Sequence, residues 1–184
     1  EIGKFAFLKK ICFISSLDKG TIEKSINQKS GDGLTPLDSC NDENTVLEIM
    51  DQMSKMGCHY DIDRTDVREN NVLHIYAKKN FDRCLENLLR MVEKDDDLRS
   101  MLLHKNRNGN TPLMACLFKN SDRSLNFLLG FVLTMHRCDE NQRFISSLLH
   151  EQNTKGDTLL SLILHYQKGS LSSQTIALEL EKYC

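Results

Sequence analysis

The stretch Asn108-Gly109-Asn110-Thr111-Pro112-Leu113 decides the fold of this chain. Glycine closes a tight turn, threonine caps a helix by accepting hydrogen bonds from its free N–H groups, and proline suits the first helical position. The six residues therefore predict a turn that leads directly into a helix. Related strings occur at 32–37, at 155–160 and, with asparagine in the threonine position, at 69–74. Both prolines of the chain lie in this string.

Each string opens a longer repeating unit. Asn44, Asn80 and Asn120 lie nine residues after the first three capping positions, and asparagine often adopts the left-handed turn that stops a helix. A second segment with apolar residues at helical spacing follows each of them. The unit is therefore predicted to contain a turn, a short helix, a reversal and a longer helix. In the fourth copy the short helix spans 158–166 and the longer one spans 174–183.

This unit resembles the ankyrin repeat, and the resemblance covers residues 26–184. It implies an all-α ankyrin-repeat solenoid of about four to five repeats with β-turn or hairpin loops. We treat the chain as a single domain with a degenerate N-terminal repeat at 1–29, in which 5–17 is helical, and further repeats at 30–65, 66–105, 106–152 and 153–184. Successive capping positions are 36, 40 and 47 residues apart, whereas the family period is about 33. We expect the extra residues, at 92–104 and 134–152, to form extended outer helices plus a short extra turn. The acidic run at 93–97 should favour the start of the helix that follows it.

Composition excludes several functional classes. The 24 basic and 26 acidic residues give a net charge of -2, which provides no general attraction to nucleic acid or anionic membrane. The longest apolar runs are about seven residues, far short of the roughly twenty that a membrane-spanning helix needs. Seven cysteines without a Cys-x-x-Cys pair favour reduced thiols in the cytoplasm or nucleus. Because the chain begins at Glu1 without methionine, we expect it to be a piece of a longer protein.

Candidate catalytic and metal sites are weak in this sequence. The pairs Cys58-His59 and His136-x-Cys138 lack a second ligand pair at zinc-finger spacing. The acidic residues of 61–66 resemble the start of a calcium loop that lacks its required glycine and glutamate. We therefore predict a chain that is not an enzyme and has no catalytic residue, metal or cofactor.

Two further features receive structural roles. His74 matches the histidine of the family string Thr-Pro-Leu-His, and the resemblance implies that it ties neighbouring turns together by a hydrogen bond. Methionines at helical positions are more often core than ligand surface, and we assign that role to Met50, Met53, Met56, Met91 and Met101.

The resemblance also implies where a partner binds, namely on the concave side built from turn tips and the exposed ends of the short helices. Transferred copy by copy, those positions give the predicted binding residues Leu34, Asp42, Glu43, Arg68, Asn70, Lys78, Lys79, Arg107, Asn108, Asn110, Phe118, Lys119, Lys155, Asp157, His165 and Tyr166. This line is acidic in the first copy and basic in the middle. Aromatic side chains amid cations are typical of binding hot spots.

We therefore expect a non-catalytic, regulatory protein-interaction module or scaffold whose partner is another protein with an acidic or mixed-charge surface. Direct nucleic-acid binding and membrane insertion are not expected. Two alternatives stay open. The phrase at 148–158 is similar to inhibitors of Rel-type transcription factors, and the missing methionine favours a cytosolic regulatory segment of a larger receptor, channel or scaffold. An enzyme or a small-molecule sensor is the third class.

Overall fold

A computed structural model describes residues 18–119, 121–135 and 139–166 of the chain. These ranges contain ten helices and, apart from isolated β-bridges, no strand. Contacts divide the chain after Val72 into two compact units; the single-domain organisation and the repeat boundaries stay predictions. The helices are α1 (Lys19–Ile26), α2 (Pro36–Ser39), α3 (Glu43–Lys55), α4 (Val72–Lys79), α5 (Asp82–Met91), α6 (Asp95–Leu103), α7 (Pro112–Leu117), α8 (Asp122–Thr134), α9 (Asp139–His150) and α10 (Leu159–Tyr166). The predicted helices at 5–17 and 174–183 lie outside the described residues.

In the first unit, the string at 32–37 forms the predicted turn and helix start. Gly33 has a positive φ of 77°. The Thr35 hydroxyl accepts the N–H of Asp38 at 3.3 Å, and the Asp38 carboxylate accepts the N–H of Thr35 at 2.9 Å. This reciprocal pair is a capping box, which satisfies two N–H groups at the start of α2. Leu37, which follows in this helix, is fully buried, as are Ile22 and Ile49 in the same unit.

Helix α2 ends earlier than the asparagine spacing predicts, and the prediction for Asn44 is wrong. The backbone of Cys40 is already extended, and Asp42 caps a new helix by accepting the N–H of Thr45 at 2.8 Å. Asn44 therefore lies in the first turn of α3. A strong N-cap two residues after the break starts the next helix before an asparagine stop is needed.

In the second unit, the corresponding stop is confirmed. Asn80 has a positive φ of 61° directly after α4, the left-handed geometry expected of a helix-ending asparagine. Its carboxamide oxygen accepts the N–H of Ser124 at 3.0 Å, so the reversal after α4 is fixed to the start of α8. Asn120 lies outside the described residues. The short helix predicted at 158–166 is confirmed as α10.

Helix pairs of successive repeats pack on one another in the second unit. The short helices α7 and α10 are in contact, and the longer helices α5 and α8 are in contact. Each of these four helices has buried apolar side chains, such as Leu85, Leu113, Leu128 and Leu162. Each pair thus covers an apolar face that a single repeat would leave in water. Within the described ranges, no helix is both long and apolar enough to cross a membrane.

Each insertion contains a separate helix where extended outer helices and a short extra turn were expected, and the helix start expected after the acidic run at 93–97 is confirmed. Helix α5 ends at Met91, Val92 is extended, and α6 begins at Asp95. Three aspartates, Asp95–Asp97, occupy the first turn of α6, where the helix dipole favours negative charge. Helices α8 and α9 are likewise distinct. Helices α6 and α9 contact each other as well as α7 and α10, respectively, so these two repeats each contain a third helix.

The predicted core role of the methionines is confirmed at three positions. Met50, Met53 and Met101 are buried, while Met56 is half-buried and Met91 is exposed. Met91 is the last residue of α5, where the helix gives way to the insertion.

Candidate protein-binding surface

The turn tips of the second unit are built by a buried asparagine in each copy. The Asn106 carboxamide oxygen accepts the N–H groups of Asn108 and Asn110 at 3.0 and 3.1 Å. In the next copy, the Asn153 oxygen accepts the N–H groups of Lys155 and Asp157 at 2.9 and 3.0 Å. Because the buried side chain satisfies the turn from inside, the side chains at the tip are left facing outward.

The two tips are directly connected. The Asn108 carbonyl accepts two hydrogen bonds from Thr154, from its N–H at 3.1 Å and from its hydroxyl at 3.0 Å. Gly109, with φ 72°, lies so close to the next tip that an added Cβ would be 2.7 Å from the Thr154 nitrogen. Only glycine allows both this backbone angle and this approach. The spacing between the tips is therefore fixed by backbone contacts.

Aromatic side chains meet at the other end of the short helices. Phe118 caps the C-terminal end of α7, and its ring makes an edge contact with that of Tyr166, at 5.3 Å between centroids. The His165 ring lies 5.0 Å from the same tyrosine. Tyr166 remains 45% exposed. The structure thus brings together three residues that the sequence predicted separately.

Cations border both groups. Arg107, Lys119 and Lys155 are exposed, and Asp157 is half-buried. Helix α7 separates the tips from the rings, and its six residues span about 9 Å at the helical rise. We call this region the turn surface; its members are Arg107, Asn108, Phe118, Lys119, Lys155, Asp157, His165 and Tyr166. It combines rings, cations and exposed polar groups within one unit.

Two of the predicted binding residues require correction. Asn70 and Asn110 are only 3% and 8% exposed. The Asn70 carboxamide donates to the Asp66 carboxylate at 2.8 Å, and the Asn110 oxygen accepts from the Asn153 carboxamide at 3.1 Å. These side chains hold the turns, which leaves them little surface for a partner.

The paired lysines at the end of α4 are less available than their charge suggests. Lys78 and Lys79 are half-buried. The Lys79 ammonium lies 5.7 Å from the centre of the Phe81 ring, a cation–π arrangement. The Lys78 carbonyl accepts from the Ser121 hydroxyl at 3.3 Å. Part of this basic pair therefore serves the packing of the second unit.

The remaining predicted residues belong to the first unit. Asp42 is exposed but caps α3, and Glu43 is half-buried in the first turn of that helix. Leu34 is half-buried, whereas Arg68 is exposed at the tip of the second turn. Asp42 therefore has a structural role that would continue in the absence of any partner.

Sequence reasoning missed a buried charged cluster in the first unit. The Arg64 guanidinium donates to the Asp38 carboxylate through Nη2 at 2.6 Å and Nε at 3.0 Å. It also donates to the Tyr60 hydroxyl and the Asp61 carbonyl. The only sequence signal is Asp38 itself, which stands where the string at 69–74 has His74.

Two thiols in the described ranges are held in the protonated form. Desolvation raises the pKa of Cys116 to about 12. Desolvation, and then the charge of Glu23, raise the pKa of Cys58. A thiol is a weak nucleophile until it ionises, so neither environment activates a cysteine. Among described residues, no group of three or more His, Cys, Asp or Glu side chains is arranged to hold a metal ion.

No protein-family model matches the chain, and no curated protein sequence matches it. Among solved structures, 193 chains match. One of them is the crystal structure of an ankyrin repeat protein, which is similar to this chain with a TM-score of 0.60 and 19% sequence identity over 95% of this chain and 73% of that one. This likeness confirms the predicted all-α ankyrin-repeat fold.

Proposed function

Because the chain has the ankyrin-repeat fold, which supports protein interaction in general, we propose that it is a non-catalytic module that binds a partner protein through the turn surface. The proposal rests on one observation, the contact of Phe118 with Tyr166 beside the exposed Lys119. The two rings come from successive repeats, so the stacking of repeats presents them together. Clustered aromatic residues with neighbouring cations are favoured as binding anchors.

The charges of the turn surface favour an acidic or mixed-charge partner segment. Arg107, Lys119 and Lys155 supply three exposed cations, and Asp157 is the one acidic member. Such a partner would place apolar groups against Tyr166 and carboxylates near the cations. Charges at the rim of an interface mainly increase the association rate and selectivity, whereas the rings supply buried apolar area.

The test is a comparison of proteins captured from cell extract by two triple variants. The first combines Arg107→Glu, Lys119→Glu and Phe118→Ala. The control combines Arg90→Glu, Arg143→Glu and Gln142→Ala, three exposed positions on α5 and α9 that undergo the same charge change. Circular dichroism first establishes that both variants fold like the original chain.

We expect partners to be lost with the first variant and retained with the control. If both variants keep the same partners, the turn surface is not the binding site. Equal loss with both variants would point to a net-charge effect, which also contradicts the proposal.

We further propose a regulatory role and a cytoplasmic or nuclear location. The cysteine pattern supports that location, since none of the seven cysteines lies in a Cys-x-x-Cys pair and disulfides are rare in those compartments. Inhibition of Rel-type transcription factors and a place within a larger receptor, channel or scaffold remain hypotheses from the sequence, and neither rests on a described contact.

A further inference from the structure

The chain contains one Asn-Gly dipeptide, Asn108-Gly109, and it lies at the tip that contacts Thr154. Asparagine is chemically labile, and a following glycine has no side chain to hinder attack on the carboxamide. We propose that Asn108 is a deamidation site whose reaction is controlled by the contact between the two turn tips. This inference is independent of the proposed binding function.

The reaction needs only water. The Gly109 nitrogen loses its proton to solvent and attacks Cγ of Asn108, forming a C–N bond while the bond from Cγ to Nδ2 breaks. Nδ2 takes a proton from solvent and leaves as ammonia, and the product is a succinimide ring. Water then adds to one of the two ring carbonyl carbons, the bond from that carbon to the ring nitrogen breaks, and the nitrogen takes a proton, which gives aspartate or isoaspartate. No oxidant or reductant takes part.

The folded turn opposes this reaction at both groups that must move, the Gly109 N–H and the Asn108 carbonyl. The Gly109 N–H donates to the Asn106 carbonyl at 2.7 Å, which holds its proton and fixes its direction. The Asn108 carbonyl is held by the two hydrogen bonds from Thr154, at 3.1 and 3.0 Å. Ring closure reorients this peptide, so the contact with Thr154 must open first.

Exposure alone would predict the opposite, because Asn108 is exposed and water reaches it freely. The backbone hydrogen bonds of the tip, rather than exposure, therefore control the rate of deamidation. Once formed, isoaspartate lengthens the main chain by one methylene and displaces the carbonyl that Thr154 binds. The change also adds a negative charge next to Arg107, so a transient opening of the two tips would become a permanent alteration of this surface.

The test is the rate of deamidation at Asn108 in the full chain, followed by peptide mass mapping in heavy-oxygen water. We expect the native chain to react at least about tenfold more slowly than the chain unfolded in urea, because protection follows the population of the open turn. The variant Thr154→Ala keeps the N–H donor and loses the hydroxyl, and should react about two- to tenfold faster than the original under native conditions.

The control variant is Ile145→Val, which removes one methyl group from a fully buried side chain of α9. Its destabilisation is comparable with the loss of one hydrogen bond, but it leaves the tips unchanged. Its native rate should stay within about twofold of the original. Equal rates in native and unfolded chains, no reaction in urea, an unchanged rate in Thr154→Ala, or equal acceleration by Ile145→Val would each overturn the proposal.

Discussion

The two units use different chemistry at the same position of the repeat. The residue three positions after the helix-capping residue is Asp38 in the first unit and His74 in the second, and both are buried. Asp38 binds Arg64, two residues before the next turn. His74 contacts His104, the equivalent residue of its own unit, ring to ring at 5.9 Å. The backbone frame is thus retained while a charged pair is replaced by two imidazoles.

The consequence lies in what each residue binds. Asp38 holds a guanidinium, which also lies over the Tyr60 ring at 4.3 Å. His74 donates from Nε2 to the Asn110 carbonyl at 2.7 Å, which confirms the predicted bond between neighbouring turns. Removal of Arg64 leaves a buried charge without its cation, whereas removal of His74 leaves a neutral carbonyl that still accepts the N–H of Asn106 at 3.0 Å. Burial of an unpaired charge costs far more than burial of an unpaired neutral group.

The largest expected effect is therefore that of Arg64→Met, which leaves the Asp38 carboxylate buried without its cation. We expect the free energy of unfolding to fall by about 3–5 kcal/mol, measured by urea denaturation with circular dichroism. The control is Arg90→Met. Arg90 and Glu86 form an ion pair of the same 2.6 Å separation, but both side chains are well exposed, so the loss should be at most about 1 kcal/mol.

Equal losses in Arg64→Met and Arg90→Met would mean that burial does not set the strength of these pairs. The double variant Arg64→Met with Asp38→Asn provides a second check, because it removes the stranded charge. It should recover part of the stability that Arg64→Met alone loses.

Contacts between successive turn tips occur in each unit. The second prediction concerns the glycines at these tips. An added Cβ at Gly33 would be 2.9 Å from the Asp66 Cα, and at Gly109 it would be 2.7 Å from the Thr154 nitrogen. We expect Gly33→Ala and Gly109→Ala each to cost about 2–4 kcal/mol, since positive φ and overpacking both oppose a side chain. Thermal unfolding measures this loss.

Gly156 separates those two causes. It has a positive φ of 82°, but an added Cβ would have no atom within 4 Å. Gly156→Ala should therefore cost only the backbone term, about 1–2 kcal/mol. If all three alanine variants lose the same stability, the close approach of successive tips contributes nothing.

A smaller effect is expected from His74→Leu, which removes one of the two donors to the buried Asn110 carbonyl and leaves the Asn106 N–H. The loss should be about 0.5–1.5 kcal/mol, below that of Arg64→Met. Hydrogen exchange locates the effect, because the amides of α7, which follows Asn110, should lose protection first. Unchanged exchange there would show that His74 fills space without tying the turns together.

Much of the fold followed from local signals in the sequence. The strings with Thr35 and Thr111 contain their own turn and cap, so the helix starts could be predicted without any distant contact. Asn80 was predicted correctly as a stop because no competing cap follows it closely. Asn44 was misread because Asp42 had already begun a helix. The acidic run at 93–97 predicted the helix start at Asp95, whereas the end of α5 at Met91 was missed because 92–94 contain neither glycine nor proline.

The candidate site was less predictable, because exposure and pairing are tertiary properties. The register of the repeats correctly brought Phe118 and Tyr166 to equivalent helix ends, which the structure places in contact. It could not reveal that Asn70 and Asn110 turn inward, since that depends on bonds made by the tip itself. Arg64 gave no signal of its own, because its partner Asp38 lies 26 residues away in the sequence.

The smallest expected effect concerns the one described turn that lacks glycine. Glu69 has a positive φ of 61° at the place that Gly33, Gly109 and Gly156 occupy in the other copies. Glu69→Gly should raise the free energy of unfolding by about 0.5–1 kcal/mol, because it relieves a left-handed backbone that costs an L-residue about 1–2 kcal/mol and adds a smaller entropic loss. Urea denaturation of matched samples can resolve this difference.

The neighbouring Arg68 is not among the residues with positive φ, so Arg68→Gly carries only the entropic loss and should lower stability by about 0.5–1 kcal/mol. If Glu69→Gly raises the free energy of unfolding and Arg68→Gly lowers it, the turn keeps a left-handed geometry that glutamate disfavours. If both variants lower it, the Glu69 side chain stabilises the tip by more than its backbone conformation costs.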